Sequence, residues 1–171
     1  INKHLIPNLN EERSVIFGYH VRYPERYGVV EFDECFNVLS IEEKPIIPKS
    51  NYAITGLYIF DNDVVQVAKQ LNVSRRGETE IVDVIQHYKN GNKLKVELLG
   101  RGIAWLDTGT HQSLLQASNF VETLETRQGL KIACIEEIAY QTGLITKQQL
   151  KTLAEKLKSN EYGKYLLNLC K

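Results

Sequence analysis

Three short polar sets along the chain carry side chains able to handle a charged substrate: Glu42-Glu43-Lys44, Arg76 with Glu78, and Asp107. Carboxylates accept hydrogen bonds from hydroxyl groups, while a lysine and an arginine neutralise phosphate oxygens. In combination they offer what a phosphorylated sugar requires. Each set also has a plainer reading. A Glu-Glu-Lys triplet at a strand end is commonly a solvated charge cluster, and an aspartate ahead of a helix is commonly a cap or turn residue. Tyr27-Gly28 is a further candidate contact, because glycine lets a ligand reach the backbone, although a plain turn accounts for it equally well.

The setting of Asp107 sharpens its case. Ile103 to Leu106 is an apolar run that reads as a buried strand, and it ends abruptly in Asp107, Gly109 and Thr110, the last able to cap a helix. Leu114, Ala117, Val121 and Leu124 then recur at helical spacing up to Gly129, a suitable C-terminal stop. A carboxylate between a strand end and a helix start stands where open α/β sheets hold ligands. Asp107-Thr108-Gly109 also spells the aspartic-protease triplet, but that chemistry needs a β-rich surround and a second aspartate, whereas here the triplet opens a long helix. Gly100-Arg101-Gly102 lacks the third glycine and the strand-to-helix setting of a dinucleotide fingerprint. His4, His20, His87 and His111 show no metal-ligand spacing with any cysteine and read as surface or core-edge residues.

The elements that must position these groups follow from periodicity. Val15, Phe17, Tyr19 and Val21 alternate as a half-buried strand. Tyr23 to Gly28 is turn-like around Pro24, Val29 to Phe32 is a strand, and Phe36 to Ile41 leads another into Glu42-Glu43-Lys44, ended by Pro45 and Pro48. Tyr52 to Phe60 is dense in β-branched and aromatic residues and reads as a central strand, with Ala53 and Gly56 marking a close approach to its backbone. A helix capped by Asp61 or Asn62 carries Val64, Val67, Ala68 and Leu71. After the polar loop Ser74 to Gly77, a second helix carries Ile81, Val84, Ile85 and Tyr88 and stops at Gly91. Leu94, Val96 and Leu98 alternate as a strand. Beyond Gly129 only helical patterns follow, with a capping box at Thr146 and Gln149 and a last amphipathic helix through Tyr162, Tyr165, Leu166 and Leu169. The class is therefore α/β, a mixed sheet with flanking helices, followed by a C-terminal helical tail.

Composition bounds the rest. With 171 residues, 43% apolar and 25% charged, and 21 basic against 21 acidic side chains, the chain gives no reason to invoke a nucleic-acid or membrane surface. Three widely spaced cysteines, Cys35, Cys134 and Cys170, fit reduced thiols and a cytoplasmic setting. The chain begins at Ile1 and contains no methionine, which fits a processed product or a fragment.

The ordered set Pro24-Glu25-Arg26-Tyr27-Gly28-Val29-Val30, Glu42-Glu43-Lys44-Pro45, Ala53-Ile54-Thr55-Gly56-Leu57-Tyr58, Arg76-Gly77-Glu78 and Trp105-Leu106-Asp107-Thr108-Gly109-Thr110 resembles glucose-1-phosphate thymidylyltransferase, a sugar-nucleotide pyrophosphorylase family. Arg127-Gln128-Gly129-Leu130-Lys131 and Glu136-Glu137-Ile138-Ala139 extend the likeness into the tail. The resemblance implies an incomplete Rossmann-like nucleotidyltransferase domain in which residues 1–129 form a sugar-phosphate-binding part and 130–171 a helical tail for oligomerisation and regulation. It implies attack of glucose 1-phosphate on the α-phosphorus of dTTP, giving dTDP-glucose and pyrophosphate with Mg²⁺ bridging the phosphates, as in dTDP-rhamnose and O-antigen biosynthesis.

By position, Tyr27, Gly28, Glu43, Ile54 and Gly56 would hold the sugar, with Trp105 packed beside it. Lys44 and Arg76 would hold the phosphate, and Asp107 would be one of two aspartates on the metal. Lys44, Arg76 and Asp107 are thus the catalytic set. The family's tail builds a tetramer and a regulatory nucleotide site, in which Glu137 and Ile138 would lie. Gln141 stands where a basic residue is expected and Ile135 where a proline is usual. The family's opening glycine-rich, arginine-containing loop and its other metal aspartate have no counterpart in this sequence, so the chain alone is expected to be catalytically silent. A competing reading is a non-catalytic assembly or regulatory remnant of the same family. A third, a pyrophosphorylase for another sugar or nucleotide, fits Arg76-Gly77-Glu78 and the tail less well.

Overall fold

A stretch rich in β-branched and aromatic residues forms ladders wherever neighbours can cover its faces, and here five such stretches assemble into one mixed sheet. The computed structural model describes residues 7–8, 13–73 and 77–171. The strands are β1 (Ser14–His20), β2 (Gly28–Phe32), β3 (Val38–Glu43), β4 (Tyr52–Ile59) and β5 (Leu94–Leu99), in the spatial order β3-β2-β4-β1-β5. β4 is central, as its composition predicts. It pairs antiparallel with both β1 and β2, β2 pairs antiparallel with β3, and β1 and β5 run parallel. A short 3₁₀ turn, Pro24–Arg26, sits at the expected turn before β2.

β1 departs from the half-buried strand that its alternation predicts, for Ser14 to Gly18 are all buried. The cause is a layer on each face. Ile16 joins Val30, Ile54, Val84, Ile85 and Val96 on one side, while Val15 and Phe17 pack with Leu57, Ile59, Leu99 and Ile103 on the other. The first layer is closed by helices α1 (Val64–Gln70) and α2 (Ile81–Asn90), the latter stopped at Gly91 as expected. The predicted cap at Asp61 or Asn62 is displaced to Asp63, whose side chain makes no cap bond. Asp61 instead accepts the Asp63 amide at 3.0 Å and the Tyr88 hydroxyl at 2.6 Å, so its carboxylate ties α2 to the start of α1.

Ile103 to Leu106 is not a buried strand. After β5 the chain turns through Gly100 to Gly102, with the Ile103 amide bonded back to the Gly100 carbonyl at 3.1 Å, and the segment leaves the ladder. Ile103 and Trp105 lie across the sheet face and are half-buried, and Leu106 is 40% exposed. Four apolar residues in a row satisfy face packing as well as they satisfy a ladder.

The chain separates into two compact units, Ile1–Trp105 and Leu106–Lys171. The second is helical: α3 (His111–Gln128), α4 (Ile135–Gln141), α5 (Lys147–Glu155) and α6 (Glu161–Leu169). The long helix α3, grouped by its sequence with the residues before Gly129, belongs to this unit. Thr110 caps α3 and Thr146 caps α5, each also donating its own amide to the N3 side chain, and Gly129 ends α3 in the left-handed conformation with φ 67°. Cys134, Leu150, Ala154 and Leu166 form the core. All three cysteines are free, and no helix among the described residues is long and apolar enough to cross a membrane.

Candidate functional site

The pleat sorts the two glutamates of Glu42-Glu43-Lys44 to opposite sides of β3. Glu42 is engaged by Lys49, Nζ to Oε1 at 2.7 Å, and this contact raises the Lys49 ammonium above its usual range. Glu43, at the strand end, turns instead toward β2. It pairs in register with Gly28, and a Cβ built on Gly28 would stand 3.0 Å from Glu43 Oε2 and 3.8 Å from Ile54 Cδ1. Glycine at 28 is therefore what lets the Glu43 carboxylate lie over the backbone. The nearby Tyr58 phenol is pushed upward first by burial and then by the negative charge of Glu43.

Lys44 follows in a left-handed backbone conformation, φ 44°, which a residue with a side chain adopts at a cost of about 1 kcal/mol or more. Its amide donates to the Tyr27 carbonyl at 3.0 Å, which holds the turn and joins the two candidate segments. Its ammonium stands 3.9 Å from Glu43 Oε1 and remains largely exposed. A cation and a carboxylate thus share one surface, spaced loosely enough for each to take a ligand of its own.

An aromatic wall stands beside them. The Tyr27 and Trp105 rings meet edge to face at 5.0 Å between centroids, and the Tyr19 ring packs tilted against Trp105 at 5.8 Å. The Tyr19 hydroxyl donates to the Ile103 carbonyl at 3.0 Å and so fixes the segment that carries Trp105. In the sequence Tyr19 reads only as a strand residue, and the face it shares with Val15 and Phe17 is the one signal of its place. Thr55, Gly56, Leu57, Ile103 and Trp105 line a cleft of about 310 Å³. Gly56 is exposed, with nothing within 4 Å of where its Cβ would be, so it leaves that wall open. Ile54 is 8% exposed, and its side chain belongs to the core, which leaves only its main chain to a ligand.

Tyr27, Gly28, Glu43, Lys44, Ile54, Gly56 and Trp105 are thus placed around one end of β2, β3 and β4. Arg76 lies outside the described residues.

Asp107 belongs to the second unit. Its Oδ1 accepts the Gly109 amide at 3.1 Å, closing a turn that a side chain at 109 would crowd, since a Cβ there would stand 3.3 Å from the same oxygen. Oδ2 has no hydrogen-bond partner among the described residues. No group of three or more metal-ligating side chains occurs among the described residues. Asp107 therefore has one carboxylate oxygen to offer a cation, and a magnesium ion held there would need its remaining ligands from elsewhere.

In the tail, Glu137 is held at both oxygens, by the Tyr165 hydroxyl at 2.5 Å and by Gln141 Nε2 at 2.9 Å, whereas Ile138 is 49% exposed. The neighbouring Glu136 receives the Tyr162 hydroxyl, which also contacts Cys134 Sγ. Burial first, and the bond to Glu137 second, push the Tyr165 phenol upward.

A family model described as nucleotidyl transferase matches residues 3–124. The glucose-1-phosphate thymidylyltransferase of Neisseria gonorrhoeae is 55% identical over 156 residues, covering 91% of this chain and 54% of that protein. The enzyme of the same name from Mycobacterium tuberculosis is 54% identical over 156 residues, with the same 91% and 54% coverage. The chain therefore spans about half the length of the curated relatives it matches. Among solved structures, a Bacillus anthracis protein described as a glucose-1-phosphate thymidylyltransferase, in complex with sucrose, superposes with a TM-score of 0.58 at 36% identity over 67% of this chain and 45% of that one. A UDP-glucose pyrophosphorylase complexed with UDP-glucose shares the fold, with a TM-score of 0.56 at 22% identity over 65% of this chain and 44% of that one. The five-stranded mixed sheet with its flanking helices is the nucleotidyltransferase fold, and the chain belongs to the nucleotidyl transferase family.

Proposed function

We propose that this chain carries the glucose 1-phosphate-binding part of a glucose-1-phosphate thymidylyltransferase. The observation that carries the reading is the Glu43 carboxylate laid over Gly28, with Lys44 next to it and the Tyr27–Trp105 wall alongside. Glu43 accepts hydrogen bonds from sugar hydroxyls, the aromatic edge covers an apolar face of the ring, and Gly56 leaves room for it. Lys44, joined by Arg76, neutralises the phosphate. A phosphate oxygen of glucose 1-phosphate then forms a bond to the α-phosphorus of dTTP as the bond to the departing pyrophosphate breaks. The residues of this chain contribute positioning and charge neutralisation, which is most of what such a displacement needs. Magnesium, when bound, would draw off charge from the phosphates, and Asp107 is the residue that would hold it.

In the tail we place a subunit interface, in keeping with a tetramer: Leu130, Ile132, Ile135 and Ile138 are 46–72% exposed. Glu137 and Ile138 are assigned to the border of a regulatory nucleotide site, where a ligand would have to share Glu137 with Tyr165 and Gln141. Residues 1–129 and 130–171 divide these two roles. The three free thiols suit a cytoplasmic protein.

The test uses Trp105, the single tryptophan. Titration with glucose 1-phosphate should change its emission saturably, and glucose 6-phosphate should do so at least tenfold more weakly. Equal responses to the two esters would refute the assignment.

A further inference from the structure

β3 and β5 stand at opposite edges of the sheet, yet the segments that open them meet. Asn37 bridges antiparallel to Lys95, and the Val96 amide donates to the Phe36 carbonyl at 3.2 Å, so the sheet curls until its two edges touch. A cleft of about 250 Å³ lies at this seam, lined by Arg13, Asn37, Val38, Lys89, Asn92 and Leu94. It sits at the start of β3, whereas Glu43 ends that strand, roughly 20 Å further along an extended chain.

The walls of the cleft are tied together by the backbone. The turn after α2 closes with the Asn92 amide on the Lys89 carbonyl at 3.0 Å, and the Ser14 amide donates to the Lys93 carbonyl at 2.8 Å, which sets Arg13 beside that turn. On the opposite wall Asp33 takes three donors from its own turn, the amides of Cys35 and Asn37 and the Asn37 Nδ2, each at 2.9 Å. Its carboxylate is thereby occupied, and Asn37 is held with Oδ1 free to accept Arg13 Nη1 at 3.4 Å. That contact uses one N–H of the guanidinium fork and leaves the others for a ligand. Lys89 is half-buried, and neither cation pairs with a carboxylate among the described residues. Two cations held side by side without counter-charge favour an anion between them, and a guanidinium already placed loses less freedom on engaging one.

We infer that this seam cleft binds a small tetrahedral dianion, a phosphate ion or the phosphate group of a small ester. The Arg13 fork takes two of its oxygens, the Lys89 ammonium neutralises the second charge, and the Asn92 side chain donates at the rim. Val38 and Leu94 supply an apolar floor. The volume is below that of pockets for drug-sized ligands, which suits an ion or a short ester. None of these residues takes part in the sugar-phosphate site proposed above, so the two sites stand or fall separately.

The test is amide NMR of the whole chain titrated with sodium phosphate, with sodium chloride at matched ionic strength as the control. Phosphate should give saturable shifts at Arg13, Asn37, Lys89 and Asn92, and chloride should give none. Affinity read at these amides should fall at least tenfold in Arg13→Gln and severalfold in Lys89→Gln, changes that keep the side-chain stem and remove the charge. It should stay unchanged in Glu43→Gln. The unshifted remainder of each spectrum verifies the fold, and shifts at Lys44 that survive in Arg13→Gln belong to the sugar-phosphate site. Glycerol 1-phosphate is a second arm: binding as tight as that of phosphate identifies an ester as the ligand, and weaker binding identifies the free ion. Affinity unchanged in both Arg13→Gln and Lys89→Gln, equal shifts with chloride, or shifts lost in Glu43→Gln would overturn the assignment.

Discussion

Glu43 and Gly28 face each other across the β2–β3 ladder, and the carboxylate occupies the space that a side chain at 28 would fill, with Oε2 3.0 Å from the position of a Cβ there. Gly28→Ala should therefore move the carboxylate by a few tenths of an ångström rather than disturb the sheet. Stability should change by less than about 1 kcal/mol, since alanine is at least as well suited as glycine to a strand. Affinity for glucose 1-phosphate should fall roughly tenfold, the worth of about one weakened charge-assisted hydrogen bond. Paired thermal melts and titrations check the split; a large loss of stability with binding retained would contradict it.

The helical unit offers the opposite case. Gly163, in the first turn of α6, is buried, and a Cβ there would meet the Leu157 carbonyl oxygen at 2.0 Å and its carbon at 2.2 Å. Backbone atoms cannot yield as a side-chain end does. Gly163→Ala should cost about 3 kcal/mol, the upper end of ordinary overpacking, and melt the second unit first. Circular dichroism should show the helical signal lost at lower temperature, while the Trp105 emission of the sheet unit holds.

Glu125 gives a pH dependence. Its carboxylate accepts from the Lys131 ammonium at 2.5 Å and from the Ile132 amide at 3.0 Å, and these bonds, Lys131 first, hold its pKa below the ordinary glutamate value of 4.5. A carboxyl group lowered on folding contributes stability that is fully present above the unfolded value and is lost as pH falls through the folded one. The melting-temperature difference between the native chain and Glu125→Gln should be constant above about pH 5.5 and shrink steadily below pH 4.5. A difference that grew on acidification would contradict the pairing.

Much of this structure is legible in local pattern. Alternation places β1, β2, β3 and β5, and Thr110, Thr146, Gly91 and Gly129 mark helix ends where the structure has them. What pattern cannot supply is the long-range partner. The burial of β1 on both faces depends on β5, some 80 residues away, and the run at Ile103 looks like a strand until the sheet face that receives it is known. Glu43 and Glu42 are adjacent and identical in kind; only the pleat and the neighbours, Gly28 for one and Lys49 for the other, tell them apart. The partners of Glu137 include Tyr165, 28 residues later, and no spacing rule announces it.

The most direct measurement is amide NMR of the chain titrated with glucose 1-phosphate, repeated with Glu43→Gln. Saturable shifts at Gly28, Glu43, Lys44 and Gly56 and at the Trp105 indole, with affinity reduced roughly ten- to hundredfold in the variant, are the expected result. Shifts that gather elsewhere, or an affinity indifferent to the loss of the Glu43 charge, would show that these residues do not form the sugar-phosphate site.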